Sequence, residues 1–317
     1  MAFDLFAAEF FGAVRCRDVR LVLLGRRERH LVVADADGEG ATVVEAVARK
    51  DFQDAVRSRW LLGLSAVFVL LVSAAVLFLG RSGEITTTGL VNSVLVKDAL
   101  VTTLIPLIAL VIAYGAIVGE RESGSLKLLL SLPHSRSDVV FGKVIGRAGA
   151  IAVPVGVGFL LPAVIAALGP LQFRPTTYLG FILLTVVLST AFVSVAVGFS
   201  AAVSSNRLAI AGAIGIYFLF VPLWGAVQLP LQFYLGVNGT PGWLPVAGQD
   251  LLRFLRIVNP TGSFKILANE FVGGTLFASA GEQRWQTGGE IAALSALVVW
   301  ILGPPLLGLV RFDDADL

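Results

Sequence analysis

The 317-residue chain is 56% hydrophobic and only 15% charged, with a net charge of +2. Soluble domains run near one-quarter charged, so this much apolar surface excludes a single soluble core, and the small net charge leaves no electrostatic footprint for nucleic acid. The lone cysteine, Cys16, excludes an internal disulfide and a thiolate metal cluster, and the two histidines, His30 and His134, have no ligand spacing.

In chain order, residues 1–42 read as a cytoplasmic extension without the charged start, apolar core and cleavage site of a secretory signal peptide. Val43 or Val44 is an alternative start if its codon is GUG, and both readings stand at this point. Residues 43–59 follow as an amphipathic helix. Val44, Ala48, Phe52, Ala55 and Val56 fall near one face, with Arg49, Lys50, Asp51 and Arg57 mostly elsewhere. Such a helix is expected to lie along the headgroups as an elbow before the chain turns into the bilayer, with Arg49, Lys50, Phe52 and Arg57 as the elbow residues.

Residues 60–317 form the transmembrane domain. About 20 apolar residues cross a bilayer as helix. Six stretches qualify: 60–79, 100–118, 148–168, 178–202, 208–229 and 291–310. None contains Asp, Glu, Lys, Arg or His, and none alternates as a barrel strand would. The fold class read from this is all-α, a polytopic membrane protein with six transmembrane helices. With the N-terminus inside, 17 Lys and Arg residues fall on the cytoplasmic side and 7 outside. The positive-inside rule then puts both termini, and the loop between the second and third spans, in the cytoplasm. The chain is expected in the plasma membrane.

That loop, 119–147, is long, polar and basic. Ser123 or Ser125 can cap a short helix ending at Pro133, with Leu126, Leu129 and Leu130 as its apolar face. Ser135 and Asp138 have capping-box spacing and would open a helix running into the third span. An ordinary solvated connector is the plainer reading. Between the fifth and sixth spans, 230–290 is the largest external piece. Its short apolar helical patterns at 251–258 and 264–277 are too short to span and can dip into the outer leaflet. Asn238-Gly239-Thr240 fits a glycosylation sequon.

No phosphate loop, HExxH, GxSxG or CxxC occurs, so no enzyme chemistry is read from the chain and no cofactor is expected on it. Spans without ionisable groups also disfavour an ion-driven carrier, and no internal repeat of the carrier kind is evident.

The run Gly119-Glu120-Arg121-Glu122-Ser123-Gly124-Ser125-Leu126, then Leu129-Leu130-Ser131-Leu132-Pro133-His134-Ser135-Arg136, then Gly142-Lys143, resembles the ABC-2 type permeases, the membrane subunits of ATP-binding-cassette transporters. The branch it most resembles includes the permease of the nitrous oxide reductase maturation system. Val47-Ala48-Arg49-Lys50-Asp51-Phe52, with Asp54, Arg57 and Ser58, matches the first amphipathic helix of that family. The resemblance covers about residues 44–317. It implies that 119–147 is a cytoplasmic coupling helix docking on a separate ATPase through Glu120, Arg121, Glu122, Gly124, Leu126, Leu130, Pro133, Ser135, Arg136 and Lys143. In that reading charged residues set register by salt bridges, Leu126 and Leu130 fill a groove on the ATPase, and Gly124 permits close backbone approach.

The family works as pairs. The implied partners are two ABC ATPase subunits carrying ATP and magnesium, a second permease chain as homodimer or heterodimer, and the lipid bilayer. The implied function is coupling of ATP hydrolysis to translocation of a substrate the sequence does not identify. An ATP-driven mechanical module acting on an extracytoplasmic partner through 230–290, and a stand-alone membrane scaffold, are the alternatives.

Overall fold

The computed structural model describes residues 33–34, 40–41, 43–80, 100–126, 135–168, 174–242, 245–273 and 284–313. A two-residue antiparallel pair, β1 (Val33–Ala34) with β2 (Gly40–Ala41), lies before the first helix, where the sequence reading had no strand. The other described elements are helical: α1 (Val43–Val56), α2 (Arg59–Gly80), α3 (Leu100–Ala113), α4 (Val118–Ser123), α5 (Arg136–Leu168), α6 (Pro175–Ala202), α7 (Asn206–Phe218), a π segment (Leu219–Leu223), α8 (Trp224–Asn238), α9 (Gly248–Val258), α10 (Pro260–Gly273) and α11 (Arg284–Asp313).

Five helical runs are long and apolar enough to cross a membrane: Leu100–Ser123, Arg136–Leu161, Pro175–Ala202, Asn206–Asn238 and Gly289–Phe312. The pair Val44–Val56 and Arg59–Ala74, bent by 67°, makes a sixth if taken as one span. The chain is a polytopic helical membrane protein.

The end of the fifth span differs from expectation. The fifth apolar run continues past residue 229, through Pro230, to Asn238. Proline lacks the N–H a helix needs, and at Pro222 the helix widens into the π segment. The Phe220 carbonyl there accepts from Asn259 Nδ2 at 2.8 Å, so a polar group that lipid could not satisfy is paired within the chain. The helix of the third span opens at Arg136, where the Ser135–Asp138 spacing put it, and the polar stretch 136–147 forms the first turns of one 33-residue helix.

Helix α6 is the hub, packing against α3, α5, α10 and α11. Its buried Thr185 donates to the Phe181 carbonyl at 2.8 Å, which settles the hydroxyl without a partner helix. An edge-to-face aromatic run crosses the bundle. Phe159 contacts Phe68, Tyr178 and Phe181 with centroids 5.4, 5.9 and 5.7 Å away.

In a membrane, close helix packing is set by small residues. Gly198 of α6 lies against the backbone of Pro304 in α11, and Gly308 lies against Gly198, so no Cβ fits at either position. Elsewhere in the bundle Gly158 meets Phe68 and Gly212 meets Phe199, whereas Gly156 and Gly215 have open space. The run Asn206–Asn238 stands apart: only 6% of its most apolar stretch is buried, against 67% in Leu100–Ser123.

Candidate functional site: a charged joint at one end of the helices

Helix α1 has a partner helix within the chain. It packs along α5, because Val47, Ala48, Asp51, Phe52 and Ala55 repeat at helical spacing and are all buried. The close approach needs glycines. A Cβ on Gly146 would sit 2.6 Å from the Ala48 carbonyl oxygen, and one on Gly142 would sit 2.8 Å from the Val47 side chain.

Asp51 sits on this seam, not on the polar face where the sequence reading put it. Burying a carboxylate is costly unless it is paired and hydrogen-bonded. Asp51 is 4% exposed and has two cations on α5, one turn apart. Lys143 Nζ lies 3.1 Å from Asp51 Oδ1, and Arg147 Nε lies 2.7 Å from Asp51 Oδ2. Lys143 reaches a second carboxylate, Glu120 Oε1 of α4, at 2.8 Å. Two acids and two bases thus neutralise one another and tie three helices. Lys50 approaches Glu120 at 3.8 Å from an exposed position, where an ion pair adds little.

The root of α4 is fastened on its other side as well. Ser200 Oγ of α6 accepts from the backbone N–H groups of Ile117 and Val118, each at 3.1 Å. These donors occur where the helix breaks between α3 and α4. Arg121 donates to the Val203 carbonyl at 3.1 Å, just past the end of α6. The guanidinium groups of Arg121 and Arg136 lie 5.4 and 5.0 Å from the centre of the Phe312 ring, and Arg136 also donates to the Phe312 carbonyl. Glu122 accepts at 2.7 Å from the backbone N–H of Asn206, at the start of α7. A carboxylate there meets both an unpaired N–H and the positive end of the helix dipole.

Helix α4 ends at Gly124, whose φ of +77° is the left-handed cap conformation that glycine takes without strain. Ser123 is the last residue of α4, and residues 125–126 are helical again after Gly124. Leu126, expected to fill a partner's groove, is 0% exposed and packs in this chain's own core. Lys143, expected at a docking surface, is 2% exposed within the ionic cluster. Ser135 and Asp138 form the expected capping box: the Ser135 N–H donates to Asp138 Oδ2 at 3.0 Å, and the Asp138 N–H donates to Ser135 Oγ at 3.1 Å. Leu130 and Pro133 lie outside the described residues, as does most of the short helix expected before Pro133. Of the residues assigned to the elbow, Phe52 is buried while Arg49, Lys50 and Arg57 are exposed. The geometry brings Glu120, Arg121, Glu122, Ser135, Arg136 and Lys143 to one end of the helices, and Glu122 and Ser123 stay exposed at the tip.

A family model described as ABC-2 family transporter protein matches residues 45–317. This chain belongs to the ABC-2 transporter family. It is 34% identical over 226 residues to the probable ABC transporter permease protein NosY of Stutzerimonas stutzeri, covering 70% of this chain and 79% of the relative. It is 33% identical over 232 residues to the protein of the same description from Pseudomonas aeruginosa, covering 71% and 81%. The chain is thus a membrane permease subunit of the ABC-2 kind. In this permease the described residues include no grouping of three or more His, Cys, Asp or Glu side chains able to hold a metal.

Sequence reasoning missed Asp51, Ser200, Asn206 and Phe312 as parts of the joint. Asp51 had a signal: it sits three residues after Ala48 and four before Ala55, on the apolar stripe. The other three act through backbone or ring contacts that no motif marks.

Proposed function

We propose that this permease couples ATP hydrolysis on a separate ABC ATPase to movement of its helices, with the exposed tip of α4 as the cytoplasmic docking point. The observation that carries this reading is the contrast along α4. Glu122 and Ser123 are exposed, while Glu120 and Arg121, on either side of the same root, are bonded to α5 and to the end of α6. A push on such a tip cannot be absorbed locally and passes to several helices at once. Rigid packed elements carry displacement in this way, and the energy comes from differential binding of ATP to two arrangements.

In this reading the charge rule sets orientation, with both termini and 119–147 on the cytoplasmic side. Helix α1 is the elbow, joined to the core by Asp51 and not merely resting on lipid. ATP and magnesium belong to the ATPase, two copies of which serve a pair of permease chains. Leu126 and Lys143 act from inside the joint, and Gly124, Ser125 and residues 127–134 complete the docking segment.

The test is co-purification of the chain with its ABC ATPase and measurement of ATPase stimulation in reconstituted membranes. Glu122→Lys should weaken both while leaving the permease folded. Normal assembly and stimulation in that variant would remove the docking role.

A second reading has one observation in its favour. Helix α9 is amphipathic, yet its Phe254 is 62% exposed outside the membrane-length helices. An external partner protein driven mechanically through α9 would use that face. Loss of such a partner on Phe254→Asp, with ATPase assembly unchanged, would support it.

A further inference from the structure

A cavity of about 310 Å³ opens where the start of α3, the π segment and α10 meet, at the end of α3 opposite the charged joint. Thr102 and Thr103, Tyr217, Val221, Thr261 and Lys265 line it. Lys265 follows Thr261 by one helical turn, so both side chains stand on the same face of α10.

The polar groups of this cavity are unbalanced. Lys265 is half-buried, and no described carboxylate lies within ion-pair distance of it. Burial holds its ammonium below the usual lysine range, and the positive charge of Arg256 adds to that. The acceptors nearby are engaged. Asn259 Oδ1 takes the Thr261 hydroxyl at 2.8 Å and the Thr261 N–H at 2.9 Å, and the Phe220 carbonyl takes Asn259 Nδ2 at 2.8 Å. The hydroxyls of Thr103 and Tyr217 add further donors at the wall. Among the described residues, the cavity therefore presents a cation and donors with no matching negative charge.

We propose that this cavity binds a phosphate-type oxyanion, with Lys265 as its counter-ion and Thr103 and Tyr217 as hydrogen-bond donors. An ammonium is a compact partner for phosphate, and an anion here would offset both its burial and its repulsion by Arg256. The volume is at the small end of ligand pockets and suits a headgroup or a free oxyanion. The proposal stands apart from the ATPase reading, since no group of the charged joint takes part.

The experiment uses the full chain, purified in neutral detergent, with two probes. One is an equimolar mixture of phosphatidylglycerol and phosphatidylcholine, read by native mass spectrometry. The other is inorganic phosphate, read by titration calorimetry. Retention of phosphatidylglycerol over phosphatidylcholine identifies a lipid headgroup, and binding of inorganic phosphate identifies a soluble oxyanion; either supports the site. Lys265→Met should weaken the bound probe by about tenfold or more, as loss of a charged hydrogen bond requires. Lys265→Arg should retain it, and Thr103→Val should weaken it by a smaller factor without altering thermal unfolding. Equal binding by wild type and Lys265→Met, or binding of neither probe by the wild type, would overturn the proposal.

Discussion

Lys143 and Asp51 stand 92 positions apart in the chain, yet Lys143 Nζ lies 3.1 Å from Asp51 Oδ1 with both side chains almost wholly out of water. The pair joins the first amphipathic helix to the start of the third span. A buried ion pair is weak evidence of net stabilisation, but removing one member leaves the other charged and unpaired. Asp51→Ala should therefore destabilise the chain by about 3–5 kcal/mol. Lys50→Ala, at a 55% exposed position, should change stability by less than about 1 kcal/mol. Denaturant unfolding of both variants in one detergent checks the contrast, and equal effects would contradict it.

The α1–α5 seam depends on what is missing at Gly146. A methyl group there meets the Ala48 backbone, which cannot rotate away as a side chain can. Gly146→Ala should cost about 1–3 kcal/mol by overpacking and should speed amide exchange across Val43–Val56. Gly156→Ala, with open space around it, is the matched control and should leave exchange unchanged. Unaltered exchange in both variants would mean that α1 is not held by this seam.

The α6–α11 crossing gives a parallel case between two long helices. Gly198→Val inserts a side chain against Pro304 and should reduce folded yield and thermal stability, whereas Gly215→Val should be tolerated. Comparable yields of the two variants would contradict the crossing.

The capping box at the head of α5 is expected to be worth about 1 kcal/mol. Ser135→Ala removes both the acceptor for the Asp138 N–H and the hydroxyl bonded to Asp138. Faster amide exchange confined to the first turns of α5 is the expected result. Exchange spread along the whole helix would point to a different role for Ser135.

Much of this fold was legible because lipid leaves few choices: each uncharged apolar run has to close its own hydrogen bonds as helix. The capping box was legible because Ser135 and Asp138 act locally. Helix ends were less so. Pro230 reads as a stop, but the helix Trp224–Asn238 runs through it. Within the joint, charge alone did not separate exposed from buried groups. Lys143 and Lys50 look alike in sequence, and only the three-dimensional meeting of α1, α4 and α5 makes one an internal tie and leaves the other in solvent. Leu126 likewise reads as a free apolar face until the core that covers it is seen.

The central claim is that the α4 tip meets an ATPase, and cross-linking from that tip tests it most directly. Cys16 is the only native cysteine, so Ser123→Cys in a Cys16→Ser background gives a unique attachment point for a photoactivatable maleimide. Illuminated in native membranes, it should yield an adduct that peptide sequencing identifies as an ATP-binding-cassette ATPase, while Phe254→Cys in the same background should not. An ATPase adduct from Phe254→Cys and none from Ser123→Cys would contradict the account.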